Sequence, residues 1–185
     1  FPGEVHVFAP AFKEADLEEL LEITDHIVFN SERQLRKHGP RCRDAGISVG
    51  LRLNPQCSTQ GDHALYDPCA PGSRFGVTLD KIPSDLLDLV DGLHFHTLCE
   101  QGADDLETTL KAVEAQFGPY LHQVKWLNMG GGHHITREDY DVDLLISEIK
   151  RIRETYNLEV YIEPGEAIAL NAGSVSYTHL TLPTK

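Results

Sequence analysis

The stretch Trp126-Leu-Asn-Met-Gly-Gly-Gly-His-His134 runs from a short apolar segment into three consecutive glycines, and its place in the chain decides the fold. Outward from it, runs rich in β-branched or aromatic residues fall at 5–9, 26–29, 47–53, 92–97, 124–129 and 159–162. Stretches of helical period lie between them, at 14–23, 31–38, 84–90, 103–117 and 136–156. Ser31 with Gln34, and Thr136 with Asp139, offer a hydroxyl and a second side chain three residues on, the pattern that satisfies the first free amides of a helix. Strand, helix, strand, repeated, implies parallel pairing through right-handed crossovers, and so a doubly wound sheet or a barrel. A dinucleotide-binding sheet carries its glycine turn after an early strand. Gly130, Gly131 and Gly132 instead follow the fifth. The expected fold is therefore α/β, a (β/α)8 TIM-type barrel with about six of its eight strand–helix units present.

The length of 185 residues suits one domain. Hydrophobic residues make up 41% of the chain, and with the 15 glycines added the composition is globular. Lys and Arg number 16 against 29 Asp and Glu, a formal net charge of −13 that repels phosphate backbones and anionic membranes. Nucleic acid and membrane partners are not expected on that ground, whereas a polycationic small molecule is compatible. No apolar run nears the roughly 18 residues of a membrane span, and the start lacks the basic-then-apolar layout of a secretory leader, so a cytoplasmic protein is expected. Cys42, Cys57, Cys69 and Cys99 show no C-x-x-C spacing and read as free thiols.

In Gly92-Leu-His-Phe-His-Thr-Leu-Cys99 the two-residue period of a strand sends His94 and His96 to one face and Phe95 to the other. Such a pair at the C-terminal end of a barrel strand reads as a metal site or as a ring stacked on a cofactor, against a hydrogen-bonded core pair. The three glycines, closing a strand and opening a helix, let backbone amides converge on one anion as in a phosphate cradle. His133 and His134 beside them read as exposed loop histidines. In Tyr161-Ile-Glu-Pro-Gly-Glu166 the residue before proline is biased to an extended conformation, which holds Glu163 at a strand end. A carboxylate there needs a partner. Arg52, on the third strand, is the natural candidate for that pairing or for an anionic substrate group, and Arg74 is a second such cation. The proline-rich stretch 54–78 is longer than a plain connection and reads as part of a site above the barrel. A phosphate cradle, a ring-stacking histidine and an acid placed to hold a proton on a ring nitrogen together suggest pyridoxal 5'-phosphate (PLP).

Four motifs carry a resemblance: YDPCAPGSRFG at 66–76, GLHFHTLCEQ at 92–101, WLNMGGGHH at 126–134 and YIEPGEAIALNAG at 161–173. They are similar to motifs of the fold-type III, alanine-racemase-like PLP decarboxylases, and within these to the branch that acts on carboxylated polyamines. The resemblance runs from about Gly3 to Gly173. It implies that His96 and Glu163 are catalytic, His96 stacking on the PLP ring and Glu163 holding its pyridine nitrogen. It implies that Gly130, Gly131, Gly132, Gly165 and Arg52 complete the cofactor contacts, and that Tyr66, Asp67, Arg74, Cys99 and Glu100 face the substrate. The reaction implied is loss of the α-carboxylate from a carboxylated polyamine in polyamine biosynthesis, by a homodimer that uses no metal.

The chain departs from that family in three ways. The family's Schiff-base lysine precedes the point where this chain begins, and no lysine here (13, 37, 81, 111, 125, 150, 185) has a comparable setting. Glu166 stands where related ornithine and diaminopimelate decarboxylases carry Arg, and Cys99 where they carry Ser. From Ser174 onward the sequence resembles a translated sequencing adapter. Residues 1–173 are thus expected to be a partial barrel within an internal fragment, 174–185 a non-native tail, and the family's C-terminal β-domain to be missing. A partial barrel leaves two unpaired strand edges, which predicts poor solubility. Two rival readings stand beside this one: a metal-dependent barrel hydrolase using His94 and His96, and a non-catalytic relative that binds an anionic ligand.

Overall fold

The computed structural model of the chain describes residues 2–61, 67–170 and 172–173; Tyr66 and the tail from Ser174 lie outside the described residues. Six short strands form one sheet: β1 (His6–Phe8), β2 (His26–Phe29), β3 (Ser48–Arg52), β4 (Gly92–His94), β5 (Trp126–Asn128) and β6 (Glu159–Tyr161). Their spatial order is their chain order, and every neighbouring pair is parallel. A doubly wound sheet must reverse its strand order at a switch point. This sheet never does, and it curves: the Tyr161 ring on β6 lies 4.5 Å from the His6 ring on β1, across the interior. The architecture is a half-barrel of the TIM type, as the position of the glycine turn implies.

The strand period sorts the two faces. Ile27, Phe29, Val49, Leu51, Leu93, Phe95, Leu127 and Met129 are fully buried. They alternate with the inward set Val28, Gly50, Arg52, Gly92, His94, Trp126 and Asn128, as pleating requires. A floor beneath the inward polar residues is made by one indole. A Cβ on Gly50 would lie 2.3 Å from Trp126, and one on Gly92 would lie 1.9 Å from it, so both positions are glycine to admit that ring. Trp126 Nε1 donates to Ser48 Oγ at 2.8 Å, which satisfies the buried indole.

Helices α1 (Glu14–Leu20), α2 (Glu32–Asp44), α3 (Leu86–Leu89), α4 (Ala103–Leu121), α5 (Val142–Tyr156) and α6 (Glu166–Ala169) follow the strands. Ser31 caps α2 as its spacing implies, accepting from the Gln34 amide at 3.4 Å. The expected start at Thr136 is not a helix start. Residues 134–140 form turns, and α5 begins at Val142, where Asp141 accepts from the Leu144 amide at 2.8 Å. An aspartate cap four residues before the first buried helix position, Leu145, outcompetes the threonine. Helices α2 and α4 also run on past 38 and 117, with Pro40 and Pro119 inside them. Each proline forfeits one intrahelical hydrogen bond, and burial of Cys42 and Leu121 in the following turn offsets that loss.

The described parts of the stretch 54–78, namely 54–61 and 67–78, lead into a short 3-10 turn (Leu79–Lys81), and two asparagines hold 67–78 over the C-terminal ends of β2 and β3. Asn54 Nδ2 donates to the carbonyls of Pro68 (3.1 Å) and Phe75 (3.0 Å). Asn30 donates to the Arg74 carbonyl at 2.8 Å and accepts from the Gly76 amide at 2.9 Å. Among the described residues all four cysteines are free thiols, and no helix is long and apolar enough to cross a membrane.

Candidate active site

Parallel register sets Arg52 beside His94, His94 beside Asn128, and Asn128 beside Tyr161. Four neighbouring strands thus end at one height, and the segment leaving β6 brings Glu163 back over them: its amide donates to the Gly130 carbonyl at 2.8 Å. The carboxylate has three polar neighbours. Asn128 Nδ2 donates to Oε1 at 2.8 Å, His94 Nε2 stands 3.8 Å from Oε1, and His96 Nδ1 stands 4.0 Å from Oε2. Burial alone raises the Glu163 carboxyl, but the His94 contact and the Asn128 amide outweigh it and hold the group below the usual carboxylate range. Burial pushes His94 down, against the pull of Glu163. It brings His96 down to about 4, helped by the Arg52 and His94 charges, so the His96 ring is neutral at neutral pH.

Arg52 does not pair with Glu163 as expected. Its guanidinium lies between the rings of Phe8 (4.8 Å) and Phe75 (4.7 Å), and Nη2 donates to the His96 carbonyl at 2.7 Å. The reason is geometric: the Asn128 amide already occupies Glu163 Oε1, and two aromatic faces hold the arginine in place. Burial lowers Arg52 to about 10, which leaves it a cation at neutral pH.

The glycines are required by contact. A Cβ on Gly130 would lie 2.4 Å from the Phe95 carbonyl oxygen, one on Gly131 2.8 Å from that of Glu163, and one on Gly132 2.0 Å from that of Leu98. Gly130 (φ 69°) and Gly132 (φ 84°) are also left-handed. The turn is therefore wedged between the exit of β4 and Glu163. It does not open a helix, because α5 begins ten residues later; this corrects the expected helix start behind the cradle. The Gly130 amide donates to Asn128 Oδ1 at 2.8 Å, while those of Gly131 and Gly132 make no hydrogen bond among the described residues. Two amides of the turn, not three, are thus left without a partner among the described residues.

A cavity of about 570 Å³ is lined by His96, Glu163, Arg52 and Cys99, with Phe8 and Phe75 on its walls. Asp67 and Arg74 line a neighbouring cavity of about 630 Å³ with Asn30. Glu100 is exposed and left-handed (φ 52°). Gly165 donates to the Glu163 carbonyl at 2.8 Å, and a Cβ there would meet nothing within 4 Å. His134 lies 3.5 Å from Glu166, and His133 is buried at 2% exposure, not exposed as expected, because the chain after Gly132 folds back to bridge Gln101. Asn128 was not among the residues singled out from sequence. A larger hollow of about 820 Å³, lined by Lys125, Lys150 and Arg153, holds none of these residues and lies at the opposite ends of the strands.

No protein-family model matches the chain. It is 42% identical over 172 residues to the carboxynorspermidine/carboxyspermidine decarboxylase of Campylobacter jejuni, covering 93% of this chain and 44% of that protein. The crystal structure of the Campylobacter jejuni carboxynorspermidine decarboxylase complexed with norspermidine superposes with a TM-score of 0.80 at 41% identity, over 90% of this chain and 42% of that one. The chain is related to the fold-type III decarboxylases. It is also 39% identical to the carboxyaminopropylagmatine decarboxylase of Synechocystis sp., over 94% of this chain and 45% of that protein. More distantly it shares the fold of SrLDC, solved in complex with PLP and cadaverine (TM-score 0.58, 16% identity, over 87% of this chain and 42% of that one). The chain spans less than half the length of these decarboxylases. His94, His96 and Glu163 do bring donor atoms within 4.8 Å of one another, as do Glu4, His6 and His26. The relatives are decarboxylases, however, and lend the hydrolase reading no support.

Proposed function

We propose that the whole protein carrying this half-barrel is a PLP-dependent carboxy-lyase that removes the α-carboxylate of carboxynorspermidine or carboxyspermidine, giving norspermidine or spermidine. The observation that carries the reading is that Glu163 and His96 line one cavity while the Gly130–Gly132 turn packs directly against both residues, in a chain so similar to decarboxylases of that name. The residues fit PLP: the turn excludes every side chain beyond glycine and leaves two amides for a phosphate, and Glu163 is held anionic for a ring nitrogen. When bound, PLP supplies a protonated ring that accepts the electron pair left by departing carbon dioxide.

In this reading Glu163 holds the proton at the ring nitrogen, and Asn128 fixes the carboxylate. His96, neutral, covers one face of the ring, and Arg52 holds the His96 backbone in place. Gly165 contributes only its backbone on the cofactor side, since nothing there crowds a side chain. Tyr66, Asp67, Arg74, Cys99 and Glu100 serve the substrate side, and the net charge of −13 favours a polycation there. The barrel portion is 1–173, the tail 174–185 is non-native, and the protein works as a cytoplasmic homodimer.

The test is carbon dioxide release by the purified whole protein from carboxynorspermidine, carboxyspermidine and carboxyaminopropylagmatine, each with added PLP. Turnover of either of the first two supports the proposal. Turnover of carboxyaminopropylagmatine alone, or of none with a PLP-loaded protein, refutes it.

A further inference from the structure

Among the described residues, His94 is the one inward-facing group beside Glu163 that the proposed reaction leaves without a task. Its side chain is fully buried, and neither ring nitrogen has a hydrogen-bond partner among the described residues. One side of the ring lies against Phe8, with centroids 5.1 Å apart at 23°. Its Nε2 stands 3.8 Å from Glu163 Oε1, the same oxygen that accepts from Asn128 at 2.8 Å. Glu163 Oε2 lies toward His96, whose ring lines the cavity. A buried imidazole with two idle nitrogens is costly unless a partner repays the desolvation. The carboxylate is that partner, reached by a shift of less than 1 Å toward ordinary N–H···O separation.

We propose that His94 is a positioning residue: with its N–H on Nε2 it holds Glu163 Oε1 from the buried side, jointly with Asn128, and so leaves Oε2 turned to the ring nitrogen of the bound cofactor. The inference rests on the PLP reading of Glu163. A core histidine that only fills space would support the fold without distinguishing a ring nitrogen from a carbon.

The test separates these with two probes on the whole protein: PLP, and its analogue in which the pyridine nitrogen is replaced by C–H. Wild type should bind PLP at least about tenfold more tightly than the analogue, the contribution of one charge-assisted hydrogen bond. In His94→Leu that preference should fall below about threefold with affinity for the analogue unchanged, and His94→Gln, which returns an N–H near the Nε2 position, should restore it. Equal loss of affinity for both probes in His94→Leu, or a preference that survives there, overturns the inference. Absence of any preference in wild type overturns the reading of Glu163 itself, and the inference with it. Should His94→Leu not fold, nitrogen NMR of wild-type His94 decides: an Nε2–H tautomer whose signal moves in Glu163→Gln supports the assignment, and an Nδ1–H tautomer contradicts it.

Discussion

Asn128 joins two parts of the site through one side chain: its Nδ2 donates to Glu163 Oε1 at 2.8 Å, and its Oδ1 accepts from the Gly130 amide at 2.8 Å. The carboxylate and the glycine turn therefore share one support. Asn128→Ala should remove that shared support from both, costing about 1–3 kcal/mol of stability and lowering turnover more than tenfold. Urea unfolding and steady-state kinetics on the same preparation measure the two. Loss of stability with unchanged turnover would show that the link does not serve the chemistry.

The three glycines of the turn should tolerate replacement far worse than the glycine after Glu-Pro. Gly132→Ala forces a Cβ to 2.0 Å from the Leu98 carbonyl at a left-handed φ, whereas Gly165→Ala meets nothing within 4 Å at φ −56°. Gly132→Ala is expected to destabilise by more than about 2 kcal/mol and Gly165→Ala by less than about 0.5 kcal/mol. Chemical denaturation of the two variants checks the contrast.

Acid should weaken the fold through His96 at the cavity wall. His96 titrates near 4 in the folded chain, below the usual 6.5 for histidine, so between those values the unfolded chain binds the proton and the folded chain does not. Stability is then fully present above about pH 6.5 and falls as pH drops towards 4; Glu163, also depressed, adds to the loss at the acid end. Denaturant midpoints measured across that window should decline, and His96→Phe should shallow the decline. An unchanged slope in the variant would contradict the assigned shift.

Arg52 should not be replaceable by lysine. The guanidinium is flat between Phe8 and Phe75 while donating to the His96 carbonyl, and an ammonium can stack on neither ring in that way. Arg52→Lys is expected to weaken PLP affinity several-fold in a binding titration, with the melting temperature nearly unchanged.

Much of this was legible because strands announce themselves locally. The inward–outward alternation of Leu93, His94, Phe95 and His96 follows from backbone pleating, and the late glycine turn selected a singly wound sheet before any contact was known. What was not legible depends on which groups meet across strands. An asparagine in Trp126-Leu-Asn128 looks like any strand residue until register sets it beside His94 and under Glu163. From its charge Arg52 reads equally as a partner for the carboxylate or for an anionic substrate group, and the two aromatic rings from distant segments that hold it away from Glu163 are not visible in the sequence. Thr136 and Asp141 both offer credible caps, and only packing of α5 against α4 and β6 chooses between them.

The claim on which the rest depends is that Glu163 holds the proton of a pyridine ring. The most direct measurement is turnover of carboxynorspermidine by Glu163→Gln in the whole protein, with PLP content determined on the same sample. A fall of at least about 100-fold, in the range of a lost proton-holding group, with PLP still bound is the predicted result. Near-normal turnover by the PLP-loaded variant would contradict it.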